Sequence, residues 1–375
     1  MDVVIIGGGA AGLMTAYKLT TIGLSVALIE KTPVLASGPS TRNEGWLHRG
    51  TYHACSIVDR ENAQQVAARC IYGHEQLLRF CPEAIELQEQ RPIAMLRDGN
   101  RIEEVVSRWD DAGVLHRQIT NNEAGKLAPD ADFTRPAALF EVRDVSINTR
   151  LLYRKLAARA RQAGCIFHVG CNIERIEGDT ISIRNPQGHK IKLTARKFVY
   201  TAGGGSIELF QKFHGKRLPI RFWKSHLVVT RRLSAGGIFY LDAHEAAMMH
   251  HGDASIIGFN EDAMLSEKAD YEVIPDRAEN IRRGIHRIFP NWRGNDTTEV
   301  ACVKVDLVDD EQDARSLNIA IREPVKNHIV ALPGKLTETP FLTDVLISRI
   351  HDGVEDRTIS RRPCDHHDNT LASIA

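Results

Sequence analysis

Apolar positions along the chain fall into two rhythms, continuous runs and helical spacings, and glycines separate them. Val3, Val4, Ile5 and Ile6 form an unbroken apolar run of the kind that makes a buried strand, and it stops at Gly7-Gly8-Gly9-Ala10-Ala11-Gly12. Leu13, Ala16, Tyr17 and Leu19 then recur at helical spacing as far as Gly23, and residues 24–29 are a second apolar run closed by Glu30. This predicts a strand, a glycine turn, a helix and a second strand. Further on, residues 59–80 carry Ala63, Val66, Ala67, Cys70, Ile71, Leu77 and Leu78 at helical spacing, predicting one long helix or two short ones. Residues 93–141 read as short strands and turns with a short helix near 121–127. An amphipathic helix over 149–163 stops at Gly164 and leads into a strand at 166–169.

Three short segments at 173–177, 180–184 and 190–194, separated by Gly178-Asp179 and Asn185-Pro186-Gln187-Gly188, predict a β-meander. Phe198-Val199-Tyr200-Thr201-Ala202-Gly203-Gly204-Gly205 then repeats the N-terminal theme, an apolar strand running into small residues, as a second backbone approach to one ligand requires. Residues 224–232, 237–242, 246–250 and 255–259 read as strands of a second sheet. They are followed by a helix over 276–289, a strand over 327–332, the turn Pro333-Gly334-Lys335-Leu336-Thr337 and a last helix after Pro340. Residues 355–375 are polar and read as a poorly ordered tail.

The opening unit carries its own chemistry. Gly7 suits a tight turn, Gly9 admits a pyrophosphate to the backbone, and Gly12 lets the helix pack closely on the strand. The first N–H groups of the helix, with Ala10 and Ala11, then face the phosphates, where the helix dipole favours negative charge. Glu30 ends the second strand, where a carboxylate accepts the hydroxyl hydrogens of an adenosine ribose and repels a phosphorylated one, which disfavours NADP. The polar segment 31–50 reads as a loop over the cofactor.

Composition narrows the remaining classes. Among 375 residues, Lys plus Arg and Asp plus Glu each number 48, so no global field draws nucleic acid or anionic lipid. Seven scattered cysteines without a Cys-x-x-Cys pair argue against zinc, an iron–sulfur cluster or a disulfide framework, and a reducing cytoplasm is the expected location. The doublets His250-His251 and His366-His367 carry no metal expectation, since neighbours on a strand point to opposite faces. No apolar run approaches the roughly 20 residues that cross a bilayer, and the first strand leaves no room for a signal peptide before it. Peripheral membrane association is left open.

With these residues in view, the chain resembles the FAD-dependent glycerol-3-phosphate dehydrogenases within the wider D-amino-acid oxidase superfamily, which also holds glycine oxidase. Seven segments carry the resemblance in order: the glycine fingerprint, Arg42-Asn43-Glu44-Gly45-Trp46-Leu47-His48-Arg49-Gly50, residues 144–163, Thr201-Ala202-Gly203, Lys224-Ser225-His226-Leu227-Val228-Val229, Ser255-Ile256-Ile257-Gly258 and Gly334-Lys335-Leu336-Thr337. The resemblance implies an α/β fold: a Rossmann-like FAD-binding domain of the glutathione-reductase type with an inserted antiparallel-sheet substrate domain. The boundaries expected are 1–90, 142–215 and 325–354 for the first domain, and 91–141 with 216–324 for the second.

It further implies FAD contacts at Gly7, Gly9, Ala10, Ala11, Gly12, Glu30, Lys31, Thr41, Arg42, Asn43, Leu47, His48, Ile173, Ala202, Gly203, Gly334, Lys335, Leu336 and Thr337, with the flavin ring between the loop ending at His48 and the turn at 334–337. A lysine and a helix N-terminus there would stabilise the negative charge of a reduced flavin. His48 and His226 occupy positions resembling active-site histidines, suited as a base near neutrality. Arg322 resembles a substrate-facing arginine able to clamp a phosphate or carboxylate.

Two departures bear on the substrate. Lys304, in Val300-Ala301-Cys302-Val303-Lys304-Val305, stands where the glycerol-phosphate enzymes carry an arginine, and Thr337-Glu338-Thr339 replaces their Thr-Tyr-Arg. The expected reaction is oxidation of a small anionic hydroxy substrate by hydride transfer to the flavin, with oxygen or a quinone as the electron acceptor. The alternative is amine oxidation of the glycine-oxidase type. An NAD-dependent dehydrogenase leaves residues 334–337 unexplained. A non-catalytic flavoprotein whose inserted domain binds a protein is the reading from another class.

Overall fold

The computed structural model describes residues 1–86, 91–260, 263–307 and 315–351; the expected polar tail and the doublet His366-His367 lie outside them. Val3–Ile6, Val26–Glu30, Ile166–Val169, Lys197–Tyr200 and His328–Leu332 form the parallel core of a six-stranded sheet, edged by Ala320–Val325, which is antiparallel to His328–Leu332. The unbroken apolar runs are explained by burial on both faces: each of Val3, Val4 and Ile5 is fully buried. Helices Ala10–Thr21, Thr149–Gln162 and Thr339–His351 share one apolar layer with this sheet. The meander Asn172–Glu177, Thr180–Arg184 and Lys190–Thr194 packs in the other layer.

Register decides where the loops gather. Ile6 pairs with both Ile29 and Tyr200, and Tyr200 with Val330, so Gly7, Glu30, Thr201 and Pro333 leave the sheet along one carboxyl edge. In an open parallel sheet that edge is the ligand crevice.

A second sheet runs in the order Met264–Ser266, Ile220–Arg231, Ala254–Phe259, Ala246–His251, Ile238–Tyr240, Ile93–Leu96, Ala138–Glu141 and Arg117–Ile119, with Thr297–Leu307 paired along Ile220–Arg231 from Ile220↔Leu307 to Thr230↔Thr297. Helix Pro275–Ile288 covers one face through Ala278, Ile281, Ile285 and Ile288, packed in a cluster with Val228. A small third sheet joins Trp46–Leu47 to Val145–Ile147 and Ile85–Glu86.

Several elements differ from the sequence reading. Ile102–Ala112 is a helix where only strands and turns were expected. Its Val105-Val106 pair is strand-like in isolation, but Val105 and Trp109 fall on one buried helical face and Gly113 ends it at φ +70°. Thr51–Ser56 and Gly205–His214 are further unexpected helices, and Thr297–Leu307 an unexpected strand. Val300-Ala301-Cys302-Val303 hides that strand because burial is nearly continuous there and alternation is lost. Ala320–Val325, assigned by sequence to the second domain, hydrogen-bonds into the six-stranded sheet, since the turn at Asn327 (φ +66°) folds it back on His328–Leu332. Among the described residues no helix is long and apolar enough to cross a membrane.

The core holds neutral histidines. Burial pushes His74, His250 and His328 from the ordinary value of 6.5 down to about 4. The folded state therefore binds fewer protons than the unfolded chain between those values, and the stability conferred is complete above about 6.5 and lost as pH falls toward about 4. The urea midpoint should fall steadily from pH 7 to pH 5, with a shallower slope in His250→Gln; a midpoint independent of pH over that range would contradict the assignment.

Candidate functional site

At the carboxyl edge Gly7 makes the turn at φ +109°, and Thr201 donates from Oγ1 to the Gly7 carbonyl at 2.9 Å, so the first and second glycine-rich loops touch. Gly12 has no room for a side chain: a Cβ there would lie 1.9 Å from the Gly7 oxygen. Gly9 caps helix Ala10–Thr21 without a side-chain bond, while Ala10 N donates to Ser40 Oγ at 3.0 Å. The Glu30 carboxylate accepts Gly8 N at 2.7 Å and the Thr32 N–H and O–H at 2.9 Å each. A carboxylate has about four acceptor positions, so a ribose would share Glu30 with the Thr32 turn rather than hold it alone. Lys31 is exposed beside it, and Cys171 N donates to the Glu30 carbonyl at 3.0 Å, which draws the start of the strand bearing Ile173 to this end of the site.

The segment after Ser40 folds on itself before it crosses to the second sheet. Thr41 Oγ1 donates to Ala36 O, and Asn43 donates to Ser40 O while its Oδ1 accepts Gly45 N, each at 2.8 Å. Arg42 is exposed, with its guanidinium 4.8 Å from the Tyr271 ring. Leu47 is fully buried. His48 N then donates to Thr337 Oγ1 at 3.1 Å, joining the N-terminal loop to the turn that carries Gly334, Lys335 and Leu336. Thr337 reaches this position because helix Arg60–Phe80 has Gly73 at the contact, where a Cβ would lie 1.7 Å from the Thr337 carbonyl. Asp59 starts that helix by accepting Asn62 N at 2.7 Å.

Charged groups crowd the junction. Asp144, fully buried, accepts Trp46 Nε1 and Arg49 N at 3.0 Å and the Thr51 hydroxyl. Glu338, also fully buried, accepts Arg69 Nε and Lys335 Nζ at 2.7 Å, and Lys335 also donates to Leu317 O. Lys335 is thus a buried, paired lysine with one hydrogen left to donate. Lys304 lies 3.5 Å from Glu44 on the second sheet, and Arg315 donates from Nη2 to Gly334 O at 2.5 Å. Burial first, then Lys335, Lys304 and Arg315, hold the His48 imidazole well below its ordinary value. Burial, Lys335 and His48 do the same to His53, whose ring meets His48 edge-on at 4.5 Å. Burial alone would raise the Glu44 carboxyl, but Lys304 brings it below the ordinary value. Burial raises the Asp144 carboxyl against the pull of its three donors.

Two expected site residues lie elsewhere. His226 pairs with Ala301, and its Nε2 accepts Ile274 N at 3.1 Å, on the face covered by helix Pro275–Ile288. The neighbouring Ser225, facing Cys302 at 2.9 Å, belongs with Lys304 to the opposite face, which meets Glu44. Strand alternation separates the two faces by one residue. Arg322 is exposed on the outer strand of the six-stranded sheet, opposite Val330, rather than on the second sheet. In its place the fold supplies Arg315, which no periodicity or motif marks. His53, Arg69 and Asp144 were also missed as site residues. A helical reading of residues 51–56 would have put His53 beside His48.

The match to known proteins accords with this geometry. The family described as DAO, FAD dependent oxidoreductase, matches residues 2–332, and the chain belongs to that family. It is 31% identical over 129 residues to the anaerobic glycerol-3-phosphate dehydrogenase of Escherichia coli K12, covering 34% of this chain but only 22% of that protein. Over the fold it superposes on the L-alpha-glycerophosphate oxidase of Mycoplasma pneumoniae with TM-score 0.74 at 18% identity, covering 93% of this chain and 94% of that one. The glycine oxidase of Geobacillus kaustophilus superposes with TM-score 0.72 at 17% identity, covering 94% of each chain. The protein is an FAD-dependent oxidoreductase.

The residues present fit that cofactor. A helix N-terminus without a cap from Gly9 faces one end of the crevice, and Glu30 offers acceptor oxygens. At the other end Arg49 Nη1, His53 Nδ1 and Arg315 Nε are shut from solvent without a hydrogen-bond partner, as suits a wall that meets a polar ring system.

Gly73 gives the sharpest test of the junction. Gly73→Ala should force Thr337 away and cost about 1–3 kcal/mol as overpacking. The purified variant should carry a lower ratio of flavin to protein absorbance; full flavin content with unchanged melting temperature would contradict the packing described.

Proposed function

We propose that the enzyme oxidises the hydroxyl-bearing carbon of a small anionic substrate related to glycerol 3-phosphate. The observation that carries this reading is the neutral imidazole of His48 at the junction of the two loops, among Lys335, Lys304 and Arg315. FAD, when bound, supplies the acceptor for the hydride that leaves the carbon as the carbonyl forms. His48 takes the hydroxyl proton; an alcohol needs such a base, whereas an amine already offers a lone pair. Lys304 and Arg315 hold the anionic group, and the same charges keep His48 unprotonated until an anion offsets them. Lys304 brings a point charge where an arginine would bring a planar fork, which favours a compact anion over strict phosphate recognition. On this reading the enzyme works in the cytoplasm and passes its electrons to oxygen or a quinone.

Anaerobic titration of the holoenzyme with glycerol 3-phosphate, 2-hydroxy acids, glycine and sarcosine decides the substrate class. The visible absorbance of the flavin should bleach with a hydroxy acid or polyol phosphate. Bleaching by glycine or sarcosine with release of the amine would establish the amine-oxidase alternative instead. His48→Gln should slow flavin reduction about 100- to 10,000-fold, the usual contribution of a positioned base, with little change in flavin content. Arg315→Met should raise KM for the anionic substrate about tenfold or more, as expected on losing a hydrogen bond to a charged group; an unchanged KM would remove Arg315 from the anion site.

A further inference from the structure

We infer that Asp144 is the positioning residue for His48, forming with it a carboxylate–imidazole pair that leaves Nε2 bare to receive the substrate proton. The inference rests on the reading of His48 as the base, and the topology carries it. In the small third sheet Trp46 pairs with Ser146 and Leu47 with Val145, and the same antiparallel register continued by one residue sets His48 opposite Asp144. Residues directly opposite on antiparallel strands hold their Cβ atoms about 4.5–5.5 Å apart, within reach of each other's side chains. The His48 Nδ1 to Asp144 Oδ1 separation is 3.8 Å, longer than a hydrogen bond, and Nδ1 is buried without a hydrogen-bond partner.

The carboxylate is the fixed half of the pair. Trp46 Nε1, Arg49 N and Thr51 Oγ1 all donate to it, and these donors belong to the segment that carries His48, so loop and carboxylate move as one unit. The His48 ring is confined by Trp46, 4.4 Å away and tilted 31°, and by His53 at its edge. From helix Arg60–Phe80, His74 Nδ1 donates to the Leu47 carbonyl at 3.3 Å. The groups acting on His48 are then Lys335 from the C-terminal turn, Lys304 from the second sheet, Arg315 from the segment before Ala320, His74 from its helix, and Asp144. All but Asp144 are cationic or become so, and all of those oppose the imidazolium. Asp144 is the anion aligned with Nδ1, so it favours the Nδ1–H tautomer and the imidazolium that forms when Nε2 takes a proton. The proton leaves the substrate oxygen for Nε2, Nδ1 keeps its own hydrogen, and Asp144 is not itself protonated.

The test uses the holoenzyme and compares Asp144→Asn, His48→Gln and the double variant by anaerobic flavin reduction across pH. Asp144→Asn should lower the limiting rate about 10- to 100-fold, in the range seen when the partner of an oriented histidine is removed. It should also move the acid limb of kcat/KM to lower pH, because the imidazolium loses its stabilising anion. In the His48→Gln background it should add nothing. If His48→Gln alone leaves flavin reduction intact, the reading of His48 as the base fails. If His48→Gln slows reduction but Asp144→Asn slows it further by its full single-variant factor, or leaves the acid limb in place, only the present inference fails. Should Asp144→Asn not fold, nitrogen-15 imidazole spectra of the wild-type holoenzyme decide instead, with His48 assigned by its absence in His48→Gln. An Nδ1–H tautomer supports the pair, and an Nε2–H tautomer overturns it.

Discussion

The bond from His48 N to Thr337 Oγ1 spans 289 residues of sequence, and the candidate site depends on it. Thr337 is fully buried, so breaking the bond would strand a polar group away from water, at a cost of about 1–3 kcal/mol. The parallel sheet delivers both partners: the segment after Glu30 and the turn after Leu332 leave from the same carboxyl edge. Gly73 then removes the one side chain that would hold the turn away. The closure is thus a product of register and of a missing Cβ, and the side-chain chemistry is added to a frame already set.

Much of that frame was legible because its signals are local. Val3 to Glu30 and Gly334 to Thr337 each carry strand, turn and helix-start information within a few residues, and the seven ordered segments joined them. His226 and Ser225 show where local reading stops. The apolar pattern predicts a strand there, but a shift of one residue exchanges its two faces, and the pairing with Thr297–Leu307 that fixes the phase lies far along the chain. Arg315 is illegible for a different cause. It lies in no periodic element, and its place comes from Gly334 O and from Ser316 N bonding Asp306. The opposition of His48 and Asp144 needs the pairing of two very short strands, and no propensity argument pairs segments of that length.

Charge at the junction is arranged so that most cations are shared. Glu44 takes Lys304, and Glu338 takes both Lys335 and Arg69. Buried pairs of this kind hold geometry more than they add stability, since desolvation offsets their attraction. Arg315 donates instead to a neutral carbonyl and keeps more of its field for whatever enters beside it. Buried histidines among such groups remain neutral, which is the protonation state a base must have before it acts.

The turn at Glu338 shows why a motif departure need not remove a function. The glycerol-phosphate pattern places a third cationic side chain just past Gly-Lys-Leu-Thr, whereas this chain places an acid there. Helix Arg60–Phe80 answers with Arg69, whose guanidinium meets Glu338 at 2.7 Å and Asn318 at 2.5 Å. The acid, Arg69 and Lys335 together retain net positive charge at the start of helix Thr339–His351, where the helix dipole adds to it. The field that would stabilise a reduced, anionic flavin is therefore kept, though carried by different side chains. The substitution changes Lys335 itself, which is anchored from two sides instead of being free to swing toward a substrate. Anion recognition then falls to Arg315 and Lys304, which leaves the C-terminal turn to the cofactor and the second sheet to the substrate.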